Sequence, residues 1–144
     1  MTTLRHLLLQ KGNSIWSIHP DASVFDAVKE MAEKNIGALV VIEDDQLIGL
    51  ITERHYARNI VLKGRTSPKT RVRDIMQTNV ICARPDYTVE QCMALMTSKL
   101  VRHLPIVDDG VLLGLVSIGD LVKSTISDQK FVIEQLEQYI SGTR

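Results

Sequence analysis

An internal duplication dominates this sequence: residues 15–58 align with residues 80–123 at a constant offset of 65 positions and without a gap. The identical pairs at this offset include prolines, methionines and glycines, among them Pro20 and Pro85, Met31 and Met96, and Gly49 and Gly114. A unit of this length that occurs twice predicts two supersecondary units that bury their apolar faces against each other. Functional residues are therefore expected where the two copies agree and, more informatively, where they differ.

Both copies predict the same order of elements, β-α-β-β-α. In the first copy we expect strands over 15–18, 38–43 and 47–51. The first helix is capped by Ser23, and the second runs over about 53–63. These patterns predict a small α/β sheet with helices packed on one face.

The repeats are expected to occupy 12–66 and 75–128. Flanking helices are predicted over 1–11 at the N-terminus and over 128–141 at the C-terminus, the latter with Asp128 as its N-cap. The terminal helix is amphipathic, so it either completes the core or forms a dimer interface.

Composition excludes several classes of protein. The chain has 17 basic and 17 acidic residues, so no global charge draws it to nucleic acid or to an anionic membrane. Only segment 63–73 is locally basic, and it is either a solvated loop or an anion site. We see no bilayer-length apolar run, signal-peptide pattern or metal-ligand spacing, and expect a cytoplasmic protein. Cys82 and Cys92 are expected to be buried free thiols rather than a disulfide.

The most informative chemistry lies where the second copy's last strand gives way to a helix, in Gly114-Leu-Val-Ser-Ile-Gly-Asp120. Ser117 stands at the natural N-cap position, and Asp120 falls in the first helical turn. The Asp120 carboxylate only accepts hydrogen bonds, and its two oxygens suit a vicinal diol such as that of ribose. However, Ser-x-x-Asp before a helix is also nearly a capping box, which needs no ligand. From these residues alone, both interpretations stay open.

Four phrases resemble tandem CBS domains, the regulatory module named after cystathionine β-synthase. They are Ile36-Gly-Ala-Leu-Val-Val, Thr52-Glu-Arg-His-Tyr-Ala-Arg58, Arg102-His-Leu-Pro-Ile-Val-Asp and Ser117-Ile-Gly-Asp-Leu-Val, and the resemblance covers about 12–124. It implies an α/β (α+β) fold in which two repeats pack by pseudo-two-fold symmetry into one module. It also implies two pseudo-symmetric clefts that bind adenine nucleotides such as AMP, ADP, ATP, NAD(H) or S-adenosylmethionine.

The second repeat keeps the full pattern of the family. The resemblance implies that Asp120 binds the ribose diol and that Ser117 contacts ribose or phosphate. The remaining members of the implied set are Asn79 and Val80 beside adenine, Val101 and Pro105 as apolar walls, Gly119 within the motif, and Arg102, His103 and Arg54 toward phosphate.

The first repeat departs from that pattern. His55 stands where the diol-binding aspartate belongs, and a neutral imidazole cannot accept from two hydroxyls. Gly37 and Ala38 replace the basic pair, so a second site would rest on Thr52, His55, Ile36, Gly37 and Ala38 alone. We therefore expect one nucleotide per chain, held mainly by repeat 2, with AMP the first candidate and NAD(H) or ATP the alternatives.

The function expected is a non-catalytic sensor that binds an adenine nucleotide in the inter-repeat cleft and signals through dimer geometry or a partner protein. A structural interaction module without nucleotide is the alternative. Enzymatic activity is not expected, although Ser117, His103 and Asp120 form a nucleophilic trio on paper, because no nucleophile elbow or P-loop is present. We expect a homodimer formed through the helices that begin near Glu53 and Ile118, and no membrane or nucleic-acid partner.

Overall fold

The computed structural model describes residues 2–12 and 15–141, which form two compact units. The described part of Ser14–Cys82 forms one, here called the repeat-1 unit. The described parts of Met1–Asn13 and Ala83–Arg144 together form the other, the repeat-2 unit. Helices and two small sheets alternate along these residues, so the mixed α/β (α+β) class is confirmed.

The elements in chain order are α1 (Leu4–Lys11), β1 (Ser17–Ile18), α2 (Val24–Lys34), β2 (Ala38–Glu43), β3 (Gln46–Thr52), α3 (Glu53–Tyr56), α4 (Val72–Ile75), α5 (Val89–Lys99), β4 (His103–Asp108), β5 (Val111–Ser117) and α6 (Ile118–Ser141). A π-helical stretch, Ala57–Val61, continues α3, and a 3-10 turn, Ser67–Lys69, precedes α4. The predicted helix over 53–63 is thus irregular, and β1 is shorter than the predicted strand over 15–18.

Local signals explain the repeat-1 unit. The Ser23 hydroxyl accepts a hydrogen bond from the Asp26 N–H and so starts α2, and Asn35 ends that helix in the left-handed conformation. In the sheet, β2 lies between a parallel β1 and an antiparallel β3. Asp44 and Asp45 both have positive φ, as a two-residue hairpin turn requires. The hairpin therefore buries one face against α2.

The repeat-2 unit is built in the same way. Thr88 and Gln91 form a reciprocal capping box at the start of α5, as predicted. The β4–β5 hairpin turns at Asp109 and Gly110, both with positive φ. Ala83 forms a parallel bridge to Ile106 in the place that β1 takes in the other unit.

Each unit is completed by a short helix that precedes the other repeat in the sequence. Helix α1 packs in the repeat-2 unit, where Leu4, Leu7 and Leu8 are buried. Its Leu4 N–H donates to the Tyr87 carbonyl oxygen at 2.9 Å. Helix α4 likewise packs in the repeat-1 unit, where Val72 is fully buried. Each repeat is thus preceded in the sequence by a helix that packs in the other repeat's unit, which is here called the exchange of leading segments.

The basic segment 63–73 is only partly a loop. Val24 donates its N–H to the Thr70 carbonyl oxygen at 2.8 Å, and Val72 donates to the Ala22 carbonyl oxygen at 2.9 Å. Both Thr70 and Val72 are buried. The second half of the segment therefore folds onto the start of α2, because its apolar residues complete that unit's core.

The predicted C-terminal helix over 128–141 does not begin at Asp128. Helix α6 runs without a break over Ile118–Ser141. The sequence has no Gly or Pro between Gly119 and Gly142, so nothing interrupts the helix. Inside α6 the Asp128 carboxylate accepts a hydrogen bond from the Thr2 hydroxyl at 2.9 Å. Its predicted role as a helix cap is therefore wrong.

Two smaller expectations concern thiols and membranes. Cys82 and Cys92 are both free, but only Cys92 is buried, whereas burial was expected for both. Among the helices in the described part of the chain, none is long and apolar enough to span a bilayer.

Candidate functional site

The junction between β5 and α6 carries the residues that the sequence singled out. Asp120 donates its N–H to the Ser117 hydroxyl at 3.1 Å, and Ser117 donates its N–H to Asp120 Oδ2 at 2.8 Å. These reciprocal bonds form a capping box, so the structural interpretation of Ser-x-x-Asp holds at this helix start. The two bonds still leave Oδ1 of the carboxylate for another donor.

A lysine from α1 also binds this carboxylate. Lys11 Nζ lies 2.6 Å from Asp120 Oδ2 and donates a second hydrogen bond, at 2.7 Å, to the Leu115 carbonyl oxygen. The side chain of Asp120 is 22% exposed and that of Lys11 39%. Burial alone would raise the pKa of Asp120, but the hydrogen bonds from Lys11 and from the Ser117 backbone outweigh it and hold the pKa below its ordinary value. The carboxylate is therefore ionised at neutral pH.

Two further predicted residues lie beside this junction: His103 begins β4, and Arg102 directly precedes it. His103 faces Ser117 across the hairpin, and the Arg102 carbonyl oxygen accepts the Ile118 N–H at 2.9 Å. Burial lowers the pKa of His103, the nearby Asp120 charge opposes that shift, and Lys11 and Arg102 add to it. His103 is consequently neutral at pH 7 and half-buried, whereas Arg102 is exposed.

The apolar walls implied by the resemblance belong to the same unit. Val101 is half-buried just before β4, and Pro105 is buried within it. Gly119 is exposed in the first turn of α6. Val101, Gly119, Ser117 and Asp120 all lie near the end of the β4–β5 hairpin opposite its turn. Pro105 lies further along β4, two residues after the start of the strand.

Three members of the predicted set, Asn79, Val80 and Arg54, belong instead to the repeat-1 unit. The Asn79 carbonyl oxygen accepts from the Gln77 side chain at 3.3 Å, and Val80 is half-buried. Arg54 is exposed in the first turn of α3. Their roles toward a ligand stay predictions.

The first repeat has the same junction with an imidazole in place of the carboxylate. Thr52 donates its N–H to His55 Nδ1 at 3.1 Å, and His55 donates its N–H to Thr52 Oγ1 at 3.2 Å. His55 thus completes a capping box, which requires an unprotonated Nδ1. Burial lowers the pKa of His55, and the charges of Arg54 and Arg58 lower it further. The neutral ring is therefore the stable form.

The other residues of the possible second site are backbone or packing groups. The Gly37 carbonyl oxygen accepts the Glu53 N–H at 3.1 Å, which matches the bond between Arg102 and Ile118. Ala38 is buried and Ile36 half-buried. Unlike its counterpart, this junction brings no cationic side chain from β2.

Sequence reasoning missed Lys11, because 1–11 was interpreted only as a flanking helix. A weak signal was available: Leu4-Arg-His-Leu-Leu8 resembles Val72-Arg-Asp-Ile-Met76, at an offset of 68 rather than 65. The structure supports this pairing. A methyl group added at Gly114 would come within 2.6 Å of the Leu8 side chain, and one at Gly49 would come within 2.6 Å of Met76.

A second polar cluster lies in the repeat-1 unit. Ligand atoms of His19, Asp21 and Glu43 lie within 4.8 Å of one another. Arg73 donates to Asp21 at 3.2 Å and to Glu43 at 2.9 Å, and these bonds raise its pKa. Arg71 Nη1 also lies 3.8 Å from Asp21 Oδ1, so two guanidinium groups pair with the two carboxylates, and the cluster forms a surface ion-pair network that favours no metal ion.

Comparisons with known proteins identify the same two repeats. The family model described as CBS domain matches residues 13–62 and 72–126. The Arabidopsis thaliana protein named CBS domain-containing protein CBSX3, mitochondrial, is 39% identical over 151 residues, which cover 98% of this chain and 73% of that protein.

Solved structures of CBS-domain proteins have a similar fold. The crystal structure of the CBS domain NE2398 has a TM-score of 0.84 at 47% identity and covers 87% of this chain and 98% of its own. A hexameric CBS-CP12 protein from bloom-forming cyanobacteria has a TM-score of 0.74 at 26% identity, over 85% of this chain and 70% of that chain.

Proposed function

The chain belongs to the CBS domain family, and from that premise we propose that it is a regulatory module that binds one adenine nucleotide, mainly through repeat 2. Stand-alone CBS-domain proteins are generally regulatory rather than catalytic. The proposal adds the ligand and the way in which the module signals.

One observation carries the ligand proposal: a half-buried, ionised carboxylate lies at the start of a helix. Asp120 offers its Oδ1 beside helical N–H groups that favour polar ligands. His103 begins the adjacent strand and Arg102 precedes it, where both side chains can donate hydrogen bonds to phosphate, Arg102 as a cation. This combination suits a nucleoside with a vicinal diol and a phosphate.

Comparison of the two strand–helix junctions favours one nucleotide site per chain. At the repeat-1 junction, the acceptor that would meet a diol is the Nδ1 of His55, and the Thr52 N–H already occupies it. The neighbouring Gly37 and Ala38 bring no charge. Repeat 1 is therefore proposed to be a structural copy of the site rather than a second binding site.

Signalling is proposed to run through a homodimer that α6 helps to form. Its exposed apolar residues recur at alternating steps of four and three: Val122, Ile126, then, after the polar Gln129, Ile133, Leu136 and Ile140. This is the spacing of a coiled-coil seam, and isoleucine occupies every second seam position, at 126, 133 and 140, as β-branched residues do in helix pairs. Lys123, Lys130 and Glu137 flank the seam at steps of seven residues, and an antiparallel copy that paired Lys123 with Glu137 would also bring two Lys130 side chains together, so these charges select no orientation of the dimer.

The dimer is tested by molar mass in solution. Ile133→Ser should shift the protein from dimer toward monomer, because Ile133 lies on the seam and is 54% exposed. Phe131→Ser is the matched control, since Phe131 is similarly exposed but lies on the opposite side of the helix. If both variants remain dimers in light scattering, α6 does not carry the interface.

The nucleotide is tested by calorimetric titration of the full chain with AMP, ADP, ATP and NADH. We expect binding with one site per chain, and two equal sites would refute the asymmetry. A ligand at a hundredfold its Kd stabilises the fold by about 2.7 kcal/mol, which a thermal shift detects. Native mass spectrometry of freshly purified protein would report any retained nucleotide together with the oligomeric state.

The second candidate is a structural interaction protein without a ligand, which the long apolar face of α6 favours. Binding of none of the four nucleotides would select it. Turnover of AMP, ATP or NADH would instead reveal an enzyme. A cytoplasmic location is also proposed, and a fluorescent fusion tests it, since the Arabidopsis relative is named as mitochondrial.

A further inference from the structure

We infer that Lys11 is an internal competitor for the ligand at Asp120, so that a nucleotide has to displace this lysine in order to bind fully. The inference rests on the proposed function, because it assumes that Asp120 receives a diol. It goes further by making the first helix of the chain part of the binding equilibrium.

The geometry of the carboxylate supports competition. Oδ2 of Asp120 accepts from Lys11 Nζ at 2.6 Å and from the Ser117 N–H at 2.8 Å, which uses both of its lone pairs. Within residues 2–12 and 15–141, Oδ1 accepts from no other group. A vicinal diol that spans both oxygens therefore meets an occupied Oδ2. With Lys11 in place, only one hydroxyl can bind well.

Helix α1 delivers Lys11 to this position firmly. Leu4 is fully buried, and its N–H donates to the Tyr87 carbonyl oxygen at 2.9 Å. One turn later, Leu8 packs directly over Gly114, where no larger residue fits without movement. The Lys11 side chain itself is 39% exposed and flexible, so it can leave Asp120 while the helix stays docked.

The bond between Lys11 and Asp120 has no equivalent at the repeat-1 junction, where His55 stands in place of the aspartate. Leu8 and Met76 cover equivalent glycines, and the same offset of 68 positions aligns Lys11 with Asn79, which lies beyond the end of α4 at Ile75. That unit thus has a neutral residue at this position and a histidine in place of Asp120. A basic residue at a helix C-terminus is common in itself. Here, however, Lys11 bonds β5 and Asp120 rather than its own helix.

The test is calorimetric titration of the full chain with AMP at pH 7.5. Lys11→Met keeps the length of the side chain and removes the charge, and Lys11→Gln is a second variant that stays polar. If the lysine occupies Oδ2 for most of the time, its removal should tighten the apparent Kd by about three- to tenfold. Lys11→Arg keeps a competing cation and should stay near the wild-type Kd.

Lys63→Met is the matched control for the loss of one positive charge, because Lys63 is exposed in the other unit. It should not tighten binding. The gain from Lys11→Met should also shrink at high salt, since screening weakens the wild-type ion pair. Unchanged or weaker AMP binding by both neutral variants would overturn the inference, and weaker binding would mean that Nζ contacts the ligand instead.

Failure of this inference and failure of the proposed function give different results. If AMP, ADP, ATP and NADH bind neither the wild type nor Lys11→Met, the nucleotide proposal itself is wrong. If the wild type binds AMP and Lys11→Met binds it no more tightly, only the competition is wrong. Urea denaturation of each variant verifies that the protein titrated is folded.

Discussion

Replacing Asp120 with histidine separates the two roles assigned to this residue. The chain already contains a histidine at the equivalent place: His55 Nδ1 accepts from the Thr52 N–H at 3.1 Å and completes a capping box. Asp120→His should therefore preserve the helix cap at Ser117. It removes the paired oxygens that a ribose diol needs. Asp120→Ala, by contrast, keeps the bond from the backbone N–H of residue 120 to the Ser117 hydroxyl but removes both the acceptor of the Ser117 N–H and the proposed ligand contact.

The expected changes in the free energy of unfolding follow from the contacts that each variant loses. Asp120→Ala leaves the Ser117 N–H without its acceptor, which costs about 1 kcal/mol for a helix start. Loss of the ion pair with Lys11 adds about 1 kcal/mol, because water reaches the 39% of the lysine side chain that is exposed and screens the pair. Asp120→His should lose the ion pair but keep the cap. The free energy of unfolding should therefore decrease in the order wild type, Asp120→His, Asp120→Ala.

Nucleotide binding should respond differently. A charge-assisted pair of hydrogen bonds contributes about 1.5–3 kcal/mol, so both variants should bind AMP roughly ten- to a hundredfold more weakly. Urea denaturation at pH 7.5 measures the first effect and calorimetric titration the second. Wild-type AMP affinity in Asp120→His would refute the contact between the carboxylate and the diol. Wild-type stability in Asp120→Ala would refute the contribution of the bond between the Ser117 N–H and the Asp120 carboxylate.

Three further perturbations test the fold. Lowering the pH from 7.5 to 5 should reduce the free energy of unfolding, because burial holds the pKa values of His55 and His103 below the unfolded value of about 6.5 and the unfolded chain then binds protons first; a flat profile in urea denaturation would contradict this. Gly49→Ala should lower the free energy of unfolding by about 1–3 kcal/mol. It should cost more than Gly114→Ala, because the new methyl meets a backbone oxygen at 3.0 Å in the first case and only the end of the Leu8 side chain in the second; equal melting temperatures would argue against that difference. Burial raises the pKa of Cys92 to about 11, so a thiol reagent at pH 8 should modify Cys92 only on unfolding; the test uses a Cys82→Ser variant because Cys82 is exposed, and rapid labelling of that native variant would show that Cys92 is accessible.

The parts of the fold that local sequence signals control were predictable. Ser23 and Asn35 bound α2, and paired acidic residues make the hairpin turn at Asp44. Thr88 starts α5 through the capping box that its neighbours suggested. Each of these features depends on residues within about one helical turn of each other, and there propensity and hydrogen bonding agree.

The features that escaped prediction depend on distant residues. Lys11 and Asp120 meet across 109 positions, and no local pattern connects them. The docking of α1 and α4 on the opposite repeats likewise depends on tertiary packing rather than on propensity. Asp128 looked like a helix cap because aspartate favours that position, but an uninterrupted run of helix-compatible residues overrode the signal.

The exchange of leading segments has a consequence for how the protein is made. The repeat-1 unit lies within the contiguous stretch Ser14–Cys82, so it can assemble once that stretch has left the ribosome. Helix α1 is synthesised first, yet its docking surface includes Gly114 on β5, which is synthesised about a hundred residues later. We expect α1 to remain unpartnered until β5 has been synthesised, and then to dock by closing a loop that contains the whole repeat-1 unit.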